Sequence, residues 1–166
     1  MTQPKNIHTI SILVANKPGV LVRCALVFAR RGFNIDSLVV SPSVNPKYSR
    51  MTITAQGDLQ TLDQIIKQTN KLVDVIHCGE HTGVDSIDRE LSLFKIKYSP
   101  SQKASLSSLI RKNKARVLNE SQGTVILEKS GTTAELNSFE EGLKKFGIIE
   151  MVRSGKLVMA KGREAT

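Results

Sequence analysis

Two short stretches, Asn16-Lys17-Pro18-Gly19 and Asn34-Ile35-Asp36, carry the groups best suited to hold a small ligand. The first is a turn that opens onto Val20, Leu21, Cys24, Ala25 and Phe28, whose spacing of three and four marks one buried helix face; Gly32 closes that helix. Pro18 and Gly19 fix a tight turn into the helix, whose first backbone N–H groups point at whatever lies over the loop. Such a start favours an anion such as a carboxylate. Gly19 lets a ligand approach the main chain, and the Asn16 and Asn34 amides can bind an ammonium or a carboxylate. Val20, Leu21 or Ile35 offers a seat for an apolar side chain. Asn16, Pro18, Gly19, Val20, Leu21, Asn34 and Ile35 thus make a candidate site for a free amino acid. A Pro-Gly turn ahead of a helix is also common as a turn alone. What points to a ligand is the company of two amides, a glycine and a helix start.

No other constellation supports chemistry. His8, His77 and His81 are scattered, with no nucleophile beside them. His77-Cys78 with His81 supplies at most three metal ligands and lacks a second cysteine pair, so ordinary surface residues are the preferred reading and no metal is expected. Gly155-Lys156-Leu157 lacks the preceding glycine and the Ser/Thr of a phosphate loop. Arg31-Gly32-Phe33 opens like the third-strand motif of RNA-recognition modules, but Asn34-Ile35-Asp36 follows without the aromatic pair, on what reads as a second strand. The net charge of +9 falls almost evenly on the two halves, an excess of five in residues 1–78 and of four in 79–166. The densest run, Arg111 to Arg116, lies where a helix should end and complements its dipole. A nucleic-acid footprint would be gathered on one face. Catalytic residues are therefore not expected in this chain.

The two cysteines, Cys24 and Cys78, form no disulfide framework and suggest a reducing compartment. Asn119-Glu120-Ser121 matches a glycosylation acceptor, with nothing else to indicate secretion. No apolar run reaches bilayer length, and Met1-Thr2-Gln3-Pro4-Lys5 leads straight into a strand. The expected location is cytoplasmic, or a plastid stroma if the chain is plastid-encoded.

The elements that must position the candidate site follow from periodicity. Residues 7–15 read as a strand with Ile10, Ile12 and Val14 buried, residues 33–41 and 49–56 as two more, Leu59 to Ile66 as a helix, and 72–78 as a fourth strand. This β-α-β-β-α-β order is ferredoxin-like: an antiparallel sheet with both helices on one face. The other face, with Thr9, Ser11 and Leu13, must find a cover, and pairing between subunits would supply one. Residues 80–88 turn polar and read as a linker. Residues 89–166 repeat the order: a strand at 90–98, a helix capped by Ser99-Pro100, strands at 116–121 and 124–130 around Gln122-Gly123, a helix capped by Thr132 or Thr133, a strand at 148–152 and a last one at 157–159. The fold class is α+β, two ferredoxin-like domains at 1–79 and 89–166.

Asn16-Lys17-Pro18-Gly19-Val20-Leu21 and the specific run Arg30-Arg31-Gly32-Phe33-Asn34-Ile35-Asp36-Ser37-Leu38 resemble the small regulatory subunits of acetohydroxyacid synthase, also called acetolactate synthase. The likeness continues through Ser49-Arg50-Met51-Thr52, Lys71-Leu72-Val73-Asp74-Val75, Arg89-Glu90-Leu91 and Arg153-Ser154-Gly155. It implies an N-terminal ACT domain that binds an effector and a C-terminal ferredoxin-like domain for partner contact and activation. It also implies a homodimer through ACT domains that binds the catalytic large subunit, activates it and confers feedback inhibition by valine or another branched-chain amino acid. The effector would lie between two chains, with the residues matching Asn16 and Gly19 from one and those matching Asn34 and Ile35 from the other. Thiamine diphosphate, Mg and FAD would reside only in the catalytic partner. Ala15 stands where the family often has an acid, Val22 where it often has Ser, and Asn119 where it often has Asp. A free-standing amino-acid sensor is the alternative.

Overall fold

A computed structural model describes residues 7–81, 83, 85–163 and 166. The chain forms two compact units: residues up to Asp88 together with Gly155–Thr166, and Arg89–Ser154.

In the first unit β1 (Ile7–Ala15), α1 (Val20–Ala29), β2 (Asn34–Pro42), β3 (Tyr48–Gln56), α2 (Leu59–Thr69) and β4 (Val75–Glu80) form one antiparallel sheet in the order β2-β3-β1-β4. The register pairs Ile10 with Ile53 and Ile12 with Met51, so the alternating apolar residues of the two central strands make one face. Val20, Cys24 and Phe28 of α1 and Leu62 and Ile65 of α2 close over that face. Asp58 caps α2, its carboxylate accepting the Thr61 N–H at 2.8 Å. That bond holds the Asp58 carboxyl below its ordinary range. Gly57 has to be glycine, because the Phe33 ring would lie 2.0 Å from a Cβ there. His8, which sequence left without a role, is buried at the edge of the core, with Nδ1 2.8 Å from Glu80 Oε1 and Nε2 donating to the Gly57 carbonyl at 3.1 Å. It ties together the ends of β1, β3 and β4.

The second unit repeats the order with β5 (Ser86–Lys97, its first three residues belonging to the first unit), a 3-10 turn at Pro100–Gln102, α3 (Lys103–Lys112), β6 (Arg116–Ser121), β7 (Thr124–Gly131), α4 (Thr133–Leu143) and β8 (Ile148–Arg153), in the sheet order β6-β7-β5-β8. Phe94 and Phe139 meet edge to face at 5.4 Å in its core. Thr132, not Thr133, caps α4, in a reciprocal bond pair with Glu135. Thr133 instead donates its hydroxyl to Glu90.

Three expectations change. Leu21, placed on the buried face of α1, is 39% exposed, because the buried row runs through Val20, Cys24 and Phe28 at intervals of four. Four residues of the stretch read as a linker are strand, Glu80 at the end of β4 and Ser86, Ile87 and Asp88 at the start of β5; its Thr82 and Val84 lie outside the described residues, as do residues 1–6. Residues 155–166, assigned by sequence to the second domain, pack with the first compact unit, and β9 (Leu157–Ala160) pairs with β5. This segment lies against the sheet face opposite the helices. A Cβ on Gly155 would meet Ser37 at 3.0 Å and Val39 at 3.2 Å, and Arg50 donates to the Thr166 carbonyl and to Ser11 Oγ. Thr9, Ser11, Thr52 and Thr54 on that face are buried in the single chain.

The quoted stretches Arg89-Glu90-Leu91 and Arg153-Ser154-Gly155 turn out to be partners in space. Leu91 and Ser154 exchange two hydrogen bonds, one through the Ser154 hydroxyl at 3.0 Å and one through its N–H at 2.9 Å. Arg153 Nη2 lies 3.2 Å from the buried Glu90 carboxylate, while Nη1 donates to Asn137 Oδ1 at 2.8 Å. Their role is to hold β5, β8 and α4 together. Arg153→Met leaves the Glu90 carboxylate buried without its cation; since Arg153 keeps part of its surface in water, the expected loss is about 2 kcal/mol. Urea denaturation checks it, and a midpoint unchanged from wild type contradicts the pairing. The Asp58 cap contributes stability that is present above the unfolded pKa and fades as pH falls through the lower folded value. Asp58→Asn keeps a cap but removes that titration, so its stability should fall less than that of the wild type between pH 5 and 3.

Candidate functional site

The Asn16–Gly19 loop is held from two sides. Asn16 donates its backbone N–H to the Lys47 carbonyl at 2.8 Å and its side-chain Nδ2 to the Pro46 carbonyl at 3.0 Å, which docks the loop on the β2–β3 hairpin. The Ala15 N–H donates to Asp74 O at 2.8 Å, which anchors it to the approach to β4. Gly19 occupies the cap position of α1 with φ +80, a left-handed conformation that suits glycine. It provides no side-chain oxygen, and the first turn carries no acid. The helix therefore begins with no side-chain cap, and its positive end is left for an outside acceptor.

Arg23, one turn into α1, was not anticipated as part of this place. It is paired with Asp74, and its Nη1 lies 3.1 Å from where a Cβ on Gly19 would stand. The Asp74 carboxylate already balances the guanidinium, so the Arg23–Asp74 pair borders the helix start and fixes the space beside Gly19. The signal was available in the sequence, since a residue four beyond Gly19 returns to the same side of the helix. Val20, named as an apolar seat, is buried in the core and has no surface to offer, whereas Leu21 is half-exposed at the loop. Pro18 shapes the turn and is exposed.

Asn34 and Ile35 open β2. Asn34 is exposed, with Nδ2 donating to Asp36 Oδ1 at 3.3 Å, and Ile35 packs partly on the core just before an irregularity that interrupts the pairing between Ile35 and Ser37. Within one chain the two half-sites do not meet. Asn34 stands opposite Gln56 and Ile7 in the strand register, whereas the Asn16 loop begins where Ala15 stands opposite Tyr48. Eight residues of strand separate those rows, roughly 26 Å.

The remaining candidates separate as well. Cys78 is turned into the core, its thiol pushed up to about 12 by burial, while His77 lies exposed on the strand beside it. Burial, with His77 and Arg50 nearby, holds the His81 imidazole below its ordinary range. A ligand set of His77, Cys78 and His81 is thus split between two sides of one strand. Among the described residues no group of three or more His, Cys, Asp or Glu side chains is placed to hold a metal ion. No helix of the described chain is long and apolar enough to cross a membrane.

Comparison with known proteins places these features. Residues 10–77 match the AHAS small subunit-like ACT domain, and residues 89–162 match the domain described as small subunit of acetolactate synthase. The chain is 40% identical over 157 residues to a probable acetolactate synthase small subunit of Archaeoglobus fulgidus, covering 95% of this chain and 98% of that one. It is 37% identical over 155 residues to the acetolactate synthase small subunit of Mycobacterium bovis, covering 93% and 92%. The crystal structure of the acetolactate synthase small subunit from Thermotoga maritima superposes with a TM-score of 0.85 at 33% identity, over 96% of this chain and 99% of that one. With an ACT-type first unit, a second unit of the same element order and relatives matched over nearly their whole length, this chain belongs to the family of acetolactate synthase small subunits.

Proposed function

We propose that this chain is the non-catalytic regulatory subunit of acetohydroxyacid synthase in branched-chain amino-acid biosynthesis, a homodimer that activates the catalytic large subunit and makes it sensitive to valine. The thiamine diphosphate, Mg and FAD of the reaction then belong to the catalytic partner. The observation that carries the effector reading is the start of α1 at Gly19, which has no side-chain cap and no acid in its first turn and so suits a carboxylate. Asn16, whose Nδ2 is engaged with Pro46, offers its Oδ1 to the ammonium. Leu21 and Ile35 are the apolar contacts for a short branched side chain.

The separation of the two half-sites supports a dimer as the effector-binding form. β2 is the edge of its sheet, with Leu38 and Val40 partly exposed, and α1 exposes Leu21, Val22 and Leu26. A second copy that pairs its own β2 antiparallel to this edge brings its Asn34 end beside the Pro42 end of the first, where the hairpin holds the Asn16 loop. One two-fold axis therefore joins half-sites that a single chain keeps apart, and forms two equivalent pockets. Effector affinity then depends on the dimer arrangement, and by linkage valine favours the arrangement that it binds better.

In the reconstituted enzyme Gly19→Asp sets a carboxylate where the ligand's should lie, so valine inhibition is expected to disappear while activation persists. Gly19→Asn, similar in size and uncharged, should weaken inhibition less; equal effects would refute the charge argument. A complementation assay tests the shared pocket. Gly19→Asp and Asn34→Ala subunits, each insensitive alone, regain about a quarter of the intact sites when mixed, since each heterodimer keeps one unaltered pocket. No regain of valine binding on mixing would place the site within one chain.

A further inference from the structure

Beyond the effector site, the strongest feature without an assigned role is β6, at the edge of the second sheet. All six of its residues are exposed, and Val117 and Leu118 are each about half so. One side of a sheet edge is a row of backbone groups ready to pair with another chain. Beside it lies a hollow of about 60 Å³ bordered by Val117 and Glu120 of β6, Leu106 and Ile110 of α3, Tyr98 and Val125. Val117 pairs with Leu127 and Glu120 with Val125, both core-facing residues, so the hollow opens on the helix side of the edge. A strand added outside β6 would point alternate side chains over it. An open ladder with an adjacent pocket is the arrangement in which main-chain bonds supply affinity and the pocket supplies selectivity.

Charge describes the occupant further. At the start of β6 the run Arg111, Lys112, Lys114 and Arg116 is exposed, and among the described residues Arg116 alone of these has an ion-pair partner, Glu128 at 3.4 Å. Glu120 is engaged by Lys103 at 3.1 Å and by the Tyr98 hydroxyl. Lys114 is held at φ 53, where glycine is the easy choice, so the cation is kept at a conformational cost. The free charge of this corner is positive.

We propose that β6 receives an extended segment of the catalytic subunit, which joins the sheet as an added strand, sets a short apolar side chain into the hollow and places acidic side chains against Lys112, Lys114 and Arg111. The inference rests on the regulatory reading above. A second copy is the poorer occupant. Antiparallel self-pairing would bring the basic corner opposite Ser121-Gln122-Gly123, which carries no acid. A two-fold at β6 independent of the one at β2 would also propagate an open chain of subunits.

The test uses the full-length protein and the catalytic subunit of the same organism, with affinity measured by titration and activation by acetolactate formation. Leu118→Asp, and separately Lys112→Glu with Lys114→Glu, should each weaken binding at least tenfold, while valine binding to the small subunit alone stays unchanged. Affinity within twofold of wild type in both variants overturns the proposal. Asn119→Cys carrying a photo-crosslinker gives a readout that needs no loss of function: an adduct with the catalytic subunit supports the site, and no adduct, or one only with another small subunit, overturns it. If the wild type itself fails to bind a catalytic subunit, the regulatory reading falls and this inference with it. If the wild type binds and the variants bind equally well, only the inference falls.

Discussion

The first unit depends on a central strand that is buried on both faces. From His8 to Ile12 every residue of β1 is out of solvent, apolar side chains toward the helices and hydroxyls toward the other side. The apolar face is closed by Val20, Cys24 and Phe28 of α1 and Leu62 and Ile65 of α2. The hydroxyl face is different, because buried hydroxyls are tolerated only with partners. Ser11 is met by Arg50, and Thr54 by Ser37 at 2.5 Å, so the sheet supplies its own polar network beneath Gly155 and the residues after it. With β1 so fixed, the loop that leaves its end at Ala15 has little freedom, and Gly19 is presented at a set place and angle.

Much of this could be read in the chain because local pattern and tertiary role agree. Ile10, Ile12 and Val14 alternate as a strand should, Leu136, Phe139 and Leu143 recur as a helix should, and Thr132 with Glu135 spells a cap. The errors fall where that agreement stops. Thr9 and Ser11 are polar, and nothing in their own neighbourhood says that they are buried or that a segment more than 100 residues later packs on the same sheet face at Ser37 and Arg50. Leu21 and Val20 are adjacent and equally apolar, so periodicity alone could not say which of them the helix turns inward. The polar composition of residues 80–88 suggested a linker, and the two flanking strands run four residues into it, because a strand at a domain boundary can be polar when one edge of it is wet.

The candidate site was legible as residue types and illegible as a place. Asn16, Gly19, Asn34 and Ile35 were recognisable from their chemistry, yet the register shows that no single chain can bring them together. Under the proposed function such a division ties ligand binding to assembly, because each chain contributes only half of the pocket. The second unit has the same element order without such a divided pair, and its open strand and basic corner suit a macromolecular neighbour better than a small ligand. On the reading proposed above, two versions of one architecture serve two kinds of recognition.

The first unit's broken path through the chain bears on how the protein is made. Residues 89–154 emerge and can complete their own fold while the first unit still lacks Gly155–Thr166. At ordinary rates of synthesis that gap is on the order of several seconds. During that time the hydroxyl face of the first sheet is uncovered on the ribosome, and the nascent chain is held in a form that still lacks part of its first unit. The docking of Gly155–Thr166 over Ser37 and Arg50 is therefore the step that completes the first unit, and it comes only after the whole of the second has been made.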